Sequence, residues 1–168
     1  MATAGKNLSD TSRLPDGRGM QFGLVTAQWN DSITDTLLKS CIETLHAAGV
    51  DVEDIRSVRV PGSFELASGA QMILENVEID AVICLGCVIQ GETKHDDYIS
   101  NAVAGGLMEL GLNYGVPVIF GLLTTNTEQQ AIDRAGGAHG NKGIEAAATA
   151  LQMVALHQQL ESEKPTVL

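Results

Sequence analysis

Aromatic side chains are scarce in this chain: 4% of 168 residues, with one Trp, two Tyr and three Phe. Any core must therefore be filled by aliphatic side chains, alanine and glycine, which suits close packing of helices on a sheet. Basic residues are outnumbered, 10 Lys and Arg against 21 Asp and Glu, for a net charge of −11. They form no run, which excludes an electrostatic footprint for nucleic acid. An anionic substrate then needs a local positive pocket, so Lys94, Arg134 and Lys142 become informative. No apolar stretch approaches the ~18 residues of a membrane span. The opening Met1-Ala-Thr-Ala-Gly-Lys-Asn-Leu8 has no apolar region of the kind a signal peptide needs. Cysteine is limited to Cys41, Cys84 and Cys87. Cys84-x-x-Cys87 has redox or zinc spacing, but it lies inside an apolar run and has no second pair to complete a metal site. Buried small hydrophobes are the expectation. Internal repeats and low-complexity tracts are also missing. What remains is a cytoplasmic globular chain, 44% apolar, of a length that suits one domain.

What is present centres on residues 81–95. Ala81-Val-Ile-Cys-Leu-Gly-Cys-Val-Ile89 is apolar and rich in β-branched residues, as in a strand buried on both faces. Ile99, Val103, Leu107 and Leu110 then recur at helical spacing. Gly91-Glu-Thr-Lys-His95 is thus a strand-to-helix turn, whose N–H groups and helix dipole favour an anion. His95 stands beside that anion site with a side chain that ordinarily titrates near neutrality.

The rest of the chain alternates. Residues 1–19 are polar and turn-rich, an N-terminal arm without periodicity that is either flexible or docked elsewhere. Met20–Thr26 reads as a strand, and Trp29-Asn-Asp-Ser32 as a turn rich in helix-capping residues. A helix follows to about Ala48, with Leu38, Cys41, Ile42 and Leu45 on one face. Ile55–Val60 is a second strand whose arginines suit a sheet edge. Pro61-Gly-Ser63 leads into a helix that faces Leu66, Ala67, Ala70, Ile73 and Leu74 inward. After the 81–89 strand, the third helix runs to about Tyr114, and Pro117–Leu123 is the fourth strand. Thr127-x-x-Gln130 signals a short helix through Arg134. Residues 136–143 read as a loop, and an Ala-rich helix runs on to about Leu160. The single domain spans 20–160, and 161–168 is a frayed tail. Strict alternation predicts an α/β fold, a three-layer αβα sandwich around a four-stranded parallel sheet. Ligands of such sheets bind beyond the carboxyl ends of the strands. Those ends carry Trp29-Asn30, Ser63-Phe64-Glu65, Gly91 to His95, and Thr124-Thr-Asn126, which together predict one site.

Trp29-Asn30, Pro61-Gly-Ser-Phe-Glu65, Gly91-x-Thr-x-His95, Pro117-Val-Ile-Phe-Gly121, Arg134-Ala-Gly136 and Gly140-Asn-Lys-Gly143 come in a fixed order. As an ordered set, over roughly residues 20–160, they closely resemble the lumazine synthase family. The resemblance implies a flavodoxin-like sheet and condensation of 5-amino-6-ribitylaminouracil with 3,4-dihydroxy-2-butanone 4-phosphate, the penultimate step of riboflavin synthesis. It implies no metal and no organic cofactor. Trp29 would stack on the pyrimidine, where the family more often has Phe. Asn30 would hydrogen-bond the substrate, although helix capping alone would also explain it. Ser63 and Glu65 would address the ring edge and ribityl hydroxyls, Phe64 would wall the pocket, and the backbone of Val88 and Ile89 would bond the pyrimidine. Gly91, Glu92 and Thr93 would cradle phosphate and His95 would shuttle protons.

Arg134 and Lys142 are not at strand ends. The family resemblance implies a pentamer whose sites lie between subunits, with Ile119, Phe120, Arg134 and Lys142 supplied by the neighbour and Arg134 pairing with phosphate. In some members assembly extends to a 60-subunit shell, with riboflavin synthase as a partner. Ala138 departs from the pattern, because many members have Lys there. Three alternatives stay open. Archaeal-type riboflavin synthase shares the fold, and a shell without catalysis would leave His95 and Arg134 unexplained. A nucleotide-binding module would lack both G-x-x-x-x-G-K-S/T and a G-x-G-x-x-G at the first helix.

Overall fold

The computed structural model describes residues 11–163. Residues 1–10 of the expected arm and 164–168 of the expected tail lie outside the described residues. Four strands, β1 (Phe22–Ala27), β2 (Ile55–Val60), β3 (Ala81–Ile89) and β4 (Val118–Thr125), form one parallel sheet in the order β2-β1-β3-β4. This is the three-layer α/β arrangement of flavodoxin-like folds, and β2 occupies the edge that its arginines predicted. Arg59 there pairs with Asp35 of the first helix at 2.5 Å, an exposed pair that contributes little. The central strand registers, Phe22 opposite Ala81 and Val82 opposite Val118, bring the four carboxyl ends to one rim.

Side chains alternate across the sheet because successive residues of a strand point to opposite faces. Phe22, Leu24, Ile83, Leu85 and Leu123 meet α1 (Asp31–Ala47) and α5 (Lys142–Ser162) through Leu37, Cys41, Leu45, Ala147 and Leu151. Val25, Val82, Cys84 and Leu122 face the other way, onto α2 (Leu66–Asn76) and α3 (His95–Tyr114), where Leu66, Ala70, Ile73, Val103 and Leu107 are buried. The scarcity of aromatics is met as composition suggested. Phe22 is the one aromatic among the largest fully buried side chains. A Cβ on Gly143 would fall 2.1 Å from the Leu37 carbonyl oxygen, so only glycine lets α5 start this close to α1.

One local feature differs from the expectation. The segment 136–143 is not simply a loop. After α4 (Glu128–Arg134), β5 (Ala135–Gly137) and β6 (Gly140–Asn141) pair antiparallel, and α5 already begins at Lys142. Strands of two or three residues rich in glycine carry no apolar alternation, so nothing in the pattern announces them. Ahead of β1, Gly17 N–H donates to the Ala48 carbonyl at 2.7 Å and Leu14 packs against the α1/α5 core. That segment is laid on the chain's own first helix.

Candidate active site

Three strand ends converge on a cavity of about 260 Å³ lined by Trp29, Asn30, Ser63, Cys87, Val88, Ile89, Gly91, Thr93, His95, Asp96 and Ile99. Eight of these were expected as site residues from the sequence. Cys87, Asp96 and Ile99 were not. Ile99 was recognised only as a helix-periodic apolar residue and Cys87 only as a buried thiol. A residue's facing direction where strand turns into helix depends on where the helix starts, which periodicity leaves open by a few residues.

The wall toward β1 is Trp29, 74% exposed. Burial does not hold it. Its backbone N–H donates to the Pro61 carbonyl at 3.2 Å, and its indole edge lies 3.2 Å from where a Cβ on Gly62 would stand. A flat aromatic exposed on the rim of a cavity offers its face to a planar ligand. Asn30 follows in left-handed backbone (φ 58, ψ 47), and its Nδ2 donates to the Cys87 carbonyl at 2.9 Å. It makes no side-chain cap bond to α1, so the capping explanation fails for its side chain.

From the β2 end, Ser63 is 5% exposed, and its Oγ is buried with no hydrogen-bond partner. Buried hydroxyls ordinarily have partners; Ser63 Oγ and Thr26 Oγ1 are the two exceptions among the described residues, and of these residues only Ser63 lines the cavity. Glu65 Oε2 accepts from Gly62 N–H at 3.0 Å, which closes the turn on which Trp29 rests. Phe64 is 59% exposed and, like Glu65, is not part of the cavity wall.

At the end of β3, Val88 and Ile89 line the cavity, and the chain then turns through exposed Gly91, Glu92 and Thr93 into α3. Thr93 does not cap that helix. Lys94 occupies the cap position, without a side-chain cap bond. Backbone N–H groups at the start of a 20-residue helix are a suitable place for an anion. His95 opens α3 beside them, exposed and in the wall. Burial pushes the Cys87 thiol up to about 11, helped by nearby Glu128, so it stays protonated at neutral pH. Cys41, at about 12, and Cys84 are raised by burial alone. All three are free thiols in the core, as their apolar context suggested.

The remaining expected residues lie elsewhere. Ile119 is 8% exposed within the α1/α5 core, whereas Phe120 next to it on edge strand β4 is 39% exposed. Arg134 ends α4 and is half-buried. Lys142 opens α5, with its Nζ 3.0 Å from Glu145 Oε2. None of the four lines the cavity. Asn141 was not singled out as a site residue on its own. Its Oδ1 accepts from Gly143 N–H at 2.8 Å and its Nδ2 donates to Ser40 Oγ at 2.8 Å, which fixes the start of α5, and with it Lys142, to α1. An Asn directly before a long helix is the signal that could have found it.

Residues 19–158 match the family model for 6,7-dimethyl-8-ribityllumazine synthase. Proteins of that name are similar to this chain over nearly its whole length. That of Parabacteroides distasonis is 54% identical over 92% of this chain and 98% of its own. That of Flavobacterium johnsoniae is 46% identical over 98% of this chain and 88% of its own. That of Porphyromonas gingivalis is 48% identical over 94% and 99%.

Proposed function

The chain belongs to the 6,7-dimethyl-8-ribityllumazine synthase family, and from that premise we propose that it is a transferase condensing 5-amino-6-ribitylaminouracil with 3,4-dihydroxy-2-butanone 4-phosphate. The products are 6,7-dimethyl-8-ribityllumazine and inorganic phosphate, in the penultimate step of riboflavin synthesis. The supporting observation is the cavity itself, in which an exposed indole, an unpartnered buried hydroxyl, a strand end and a His-bearing helix start meet. Trp29 stacks on the pyrimidine, while Ser63 and the backbone of Val88 and Ile89 address its edge. The ring amine attacks the ketone and water leaves to give an imine. Phosphate is then eliminated, and the ribitylamino nitrogen closes the second ring with loss of water. Each stage moves a proton, which His95 relays. Phosphate departs toward the N–H groups of the Gly91–Thr93 turn. No step changes oxidation state by an external acceptor, so no redox cofactor is required. Two reactants held together in one cavity account for much of the acceleration.

The cavity lacks two things. At about 260 Å³ it lies below the roughly 300–1,000 Å³ of usual ligand sites. Among the residues lining it there is no Lys or Arg to meet a phosphate. Arg134, whose fork of donors suits phosphate, and Phe120 and Lys142 complete it from a second copy. The assembly is at least a ring of five. Exposed Tyr98, Met108 and Leu112 on α3 and Met153, Leu156 and Leu160 on α5 supply apolar surface for such contacts. A charge of −11 per chain opposes growth into a larger shell at low salt.

Purified protein given both substrates should form the fluorescent lumazine and release phosphate at a rate a chelator leaves unchanged. Loss on chelation with recovery on adding a divalent ion overturns the metal-free mechanism. Conversion of the lumazine alone into riboflavin would favour the archaeal-type riboflavin synthase reaction instead.

A further inference from the structure

Asn30 is the one non-glycine residue with positive φ among the described residues. Left-handed backbone is disfavoured for L-residues, and Asn is among the few that adopt it readily. A helix-capping Asn accepts from N–H groups of the first turn through its side-chain oxygen. Asn30 does not. Only its backbone carbonyl serves α1, accepting from Ile33 and Thr34 N–H at 2.9 and 3.0 Å. Its amide is turned across the sheet instead, donating 2.9 Å to the carbonyl of Cys87. The β1–β3 ladder ends at Thr26 opposite Leu85. Beyond that pair, the Asn30 amide bonds the chain leaving β1 to the end of β3. Trp29 directly precedes one end of this tie and Val88–Ile89 directly follow the other, and all of them line the cavity.

We infer that Asn30 is a positioning residue rather than a ligand-binding one. Its amide holds the stacking face of Trp29 at a set distance from the hydrogen-bonding edge of Cys87–Ile89, so that a flat heterocycle meets both at once. The left-handed turn aims the side chain at β3, and preorganisation of this kind lowers the ordering cost of binding. The inference rests on the pyrimidine reading of the cavity given above.

Asn30→Gly and Asn30→Asp in the full-length protein test it. Both residues tolerate left-handed backbone, so both keep the turn. Glycine deletes the amide, and aspartate sets a carboxylate against the Cys87 carbonyl. Trp29 is the single tryptophan, so its fluorescence anisotropy reports the wall directly. We expect lower anisotropy in both variants before any substrate is added, with assembly unchanged. The KM for the pyrimidine should rise roughly 3- to 10-fold, more for Asp than for Gly, while that for the butanone phosphate stays within about twofold. Unchanged anisotropy with a raised pyrimidine KM makes Asn30 a direct ligand contact and overturns the inference. Equal rises in both KM values overturn it too, as does no change in either. Wild-type protein without synthase activity would defeat the functional reading, while the anisotropy comparison would still decide whether the tie exists.

Discussion

The strand-end cavity and the α4–α5 junction are built in different ways. Trp29, Asn30, Ser63, Val88 and His95 come from three strand ends of one chain and meet in one cavity. Phe120, Arg134 and Lys142 are equally well placed by their own chain, on β4, at the end of α4 and at the start of α5, yet none of them lines that cavity. In the first region hydrogen bonds hold a recess open: Asn30 to Cys87, Trp29 to Pro61 and Gly62 to Glu65. In the second they hold the start of a helix in place: Asn141 to Ser40 and Gly143, and Lys142 to Glu145. The proposed ring would bring a recess whose lining has no cation against a junction that carries two.

Arg134→Ala should show the largest effect. Losing a charge-assisted pair to a buried anion should raise the KM for the butanone phosphate roughly 30-fold or more, leaving that for the pyrimidine nearly unchanged. Equal weakening of both substrates in steady-state kinetics would instead give Arg134 a role in organising the interface. His95→Ala should come next, slowing turnover ~10-fold or more while assembly and tryptophan emission stay as they are. The low side of the range applies because holding the reactants together survives the change. An unchanged kcat would show that His95 is not the proton relay.

Mixing these two variants after dissociation and reassembly tests the comparison itself. In random rings, half the strand-end sets and half the distal sets are intact, so roughly one site in four pairs intact partners. Activity should rise to about that fraction of wild type, with mixed rings verified by native mass spectrometry. Mixed rings without recovery would place both sets in one chain.

The smallest effect concerns pH, and on the strand-end side Cys87 carries it. Burial raises the Cys87 thiol from 9.0 to about 11 in the fold. The folded state therefore keeps its proton where the unfolded state has lost it. Stability from this source is complete below pH 9 and is lost as pH rises through 11. Cys87→Ala should flatten the fall in thermal midpoint measured by calorimetry across that window. Part of the fall should remain in the variant, because burial also raises Cys41, to about 12, and Cys84.

Much of this was legible beforehand. The apolar run 81–89, the helical recurrence of Val103 and Leu107, and the arginines of β2 each carry a periodicity or a charge that only one environment satisfies. The rim of the sheet followed, because parallel strands joined by helices must end on one side. Asn30 was harder. Its residue type allows a cap, a ligand contact or a left-handed turn, and only the position of β3 shows which partner its amide takes. Asp96 entered the wall for a similar reason, because the start of α3 sets which way its first turn faces. The ribbon of β5 and β6 left no pattern to read.

By itself, then, the sequence determined the order of elements, the sheet's two apolar faces and the side chains gathered at its carboxyl rim. These follow from local periodicity, capping chemistry and the handedness of crossovers. The tertiary structure alone decided which rim residues share a cavity, that Ser63 Oγ is buried without a partner, and that Asn30 spends its amide on Cys87. Such outcomes depend on distances between segments far apart in the chain, Asn30 and Cys87 being 57 residues apart. A hydrogen bond is made or lost within a few tenths of an ångström, a tolerance that spacing along a sequence does not carry.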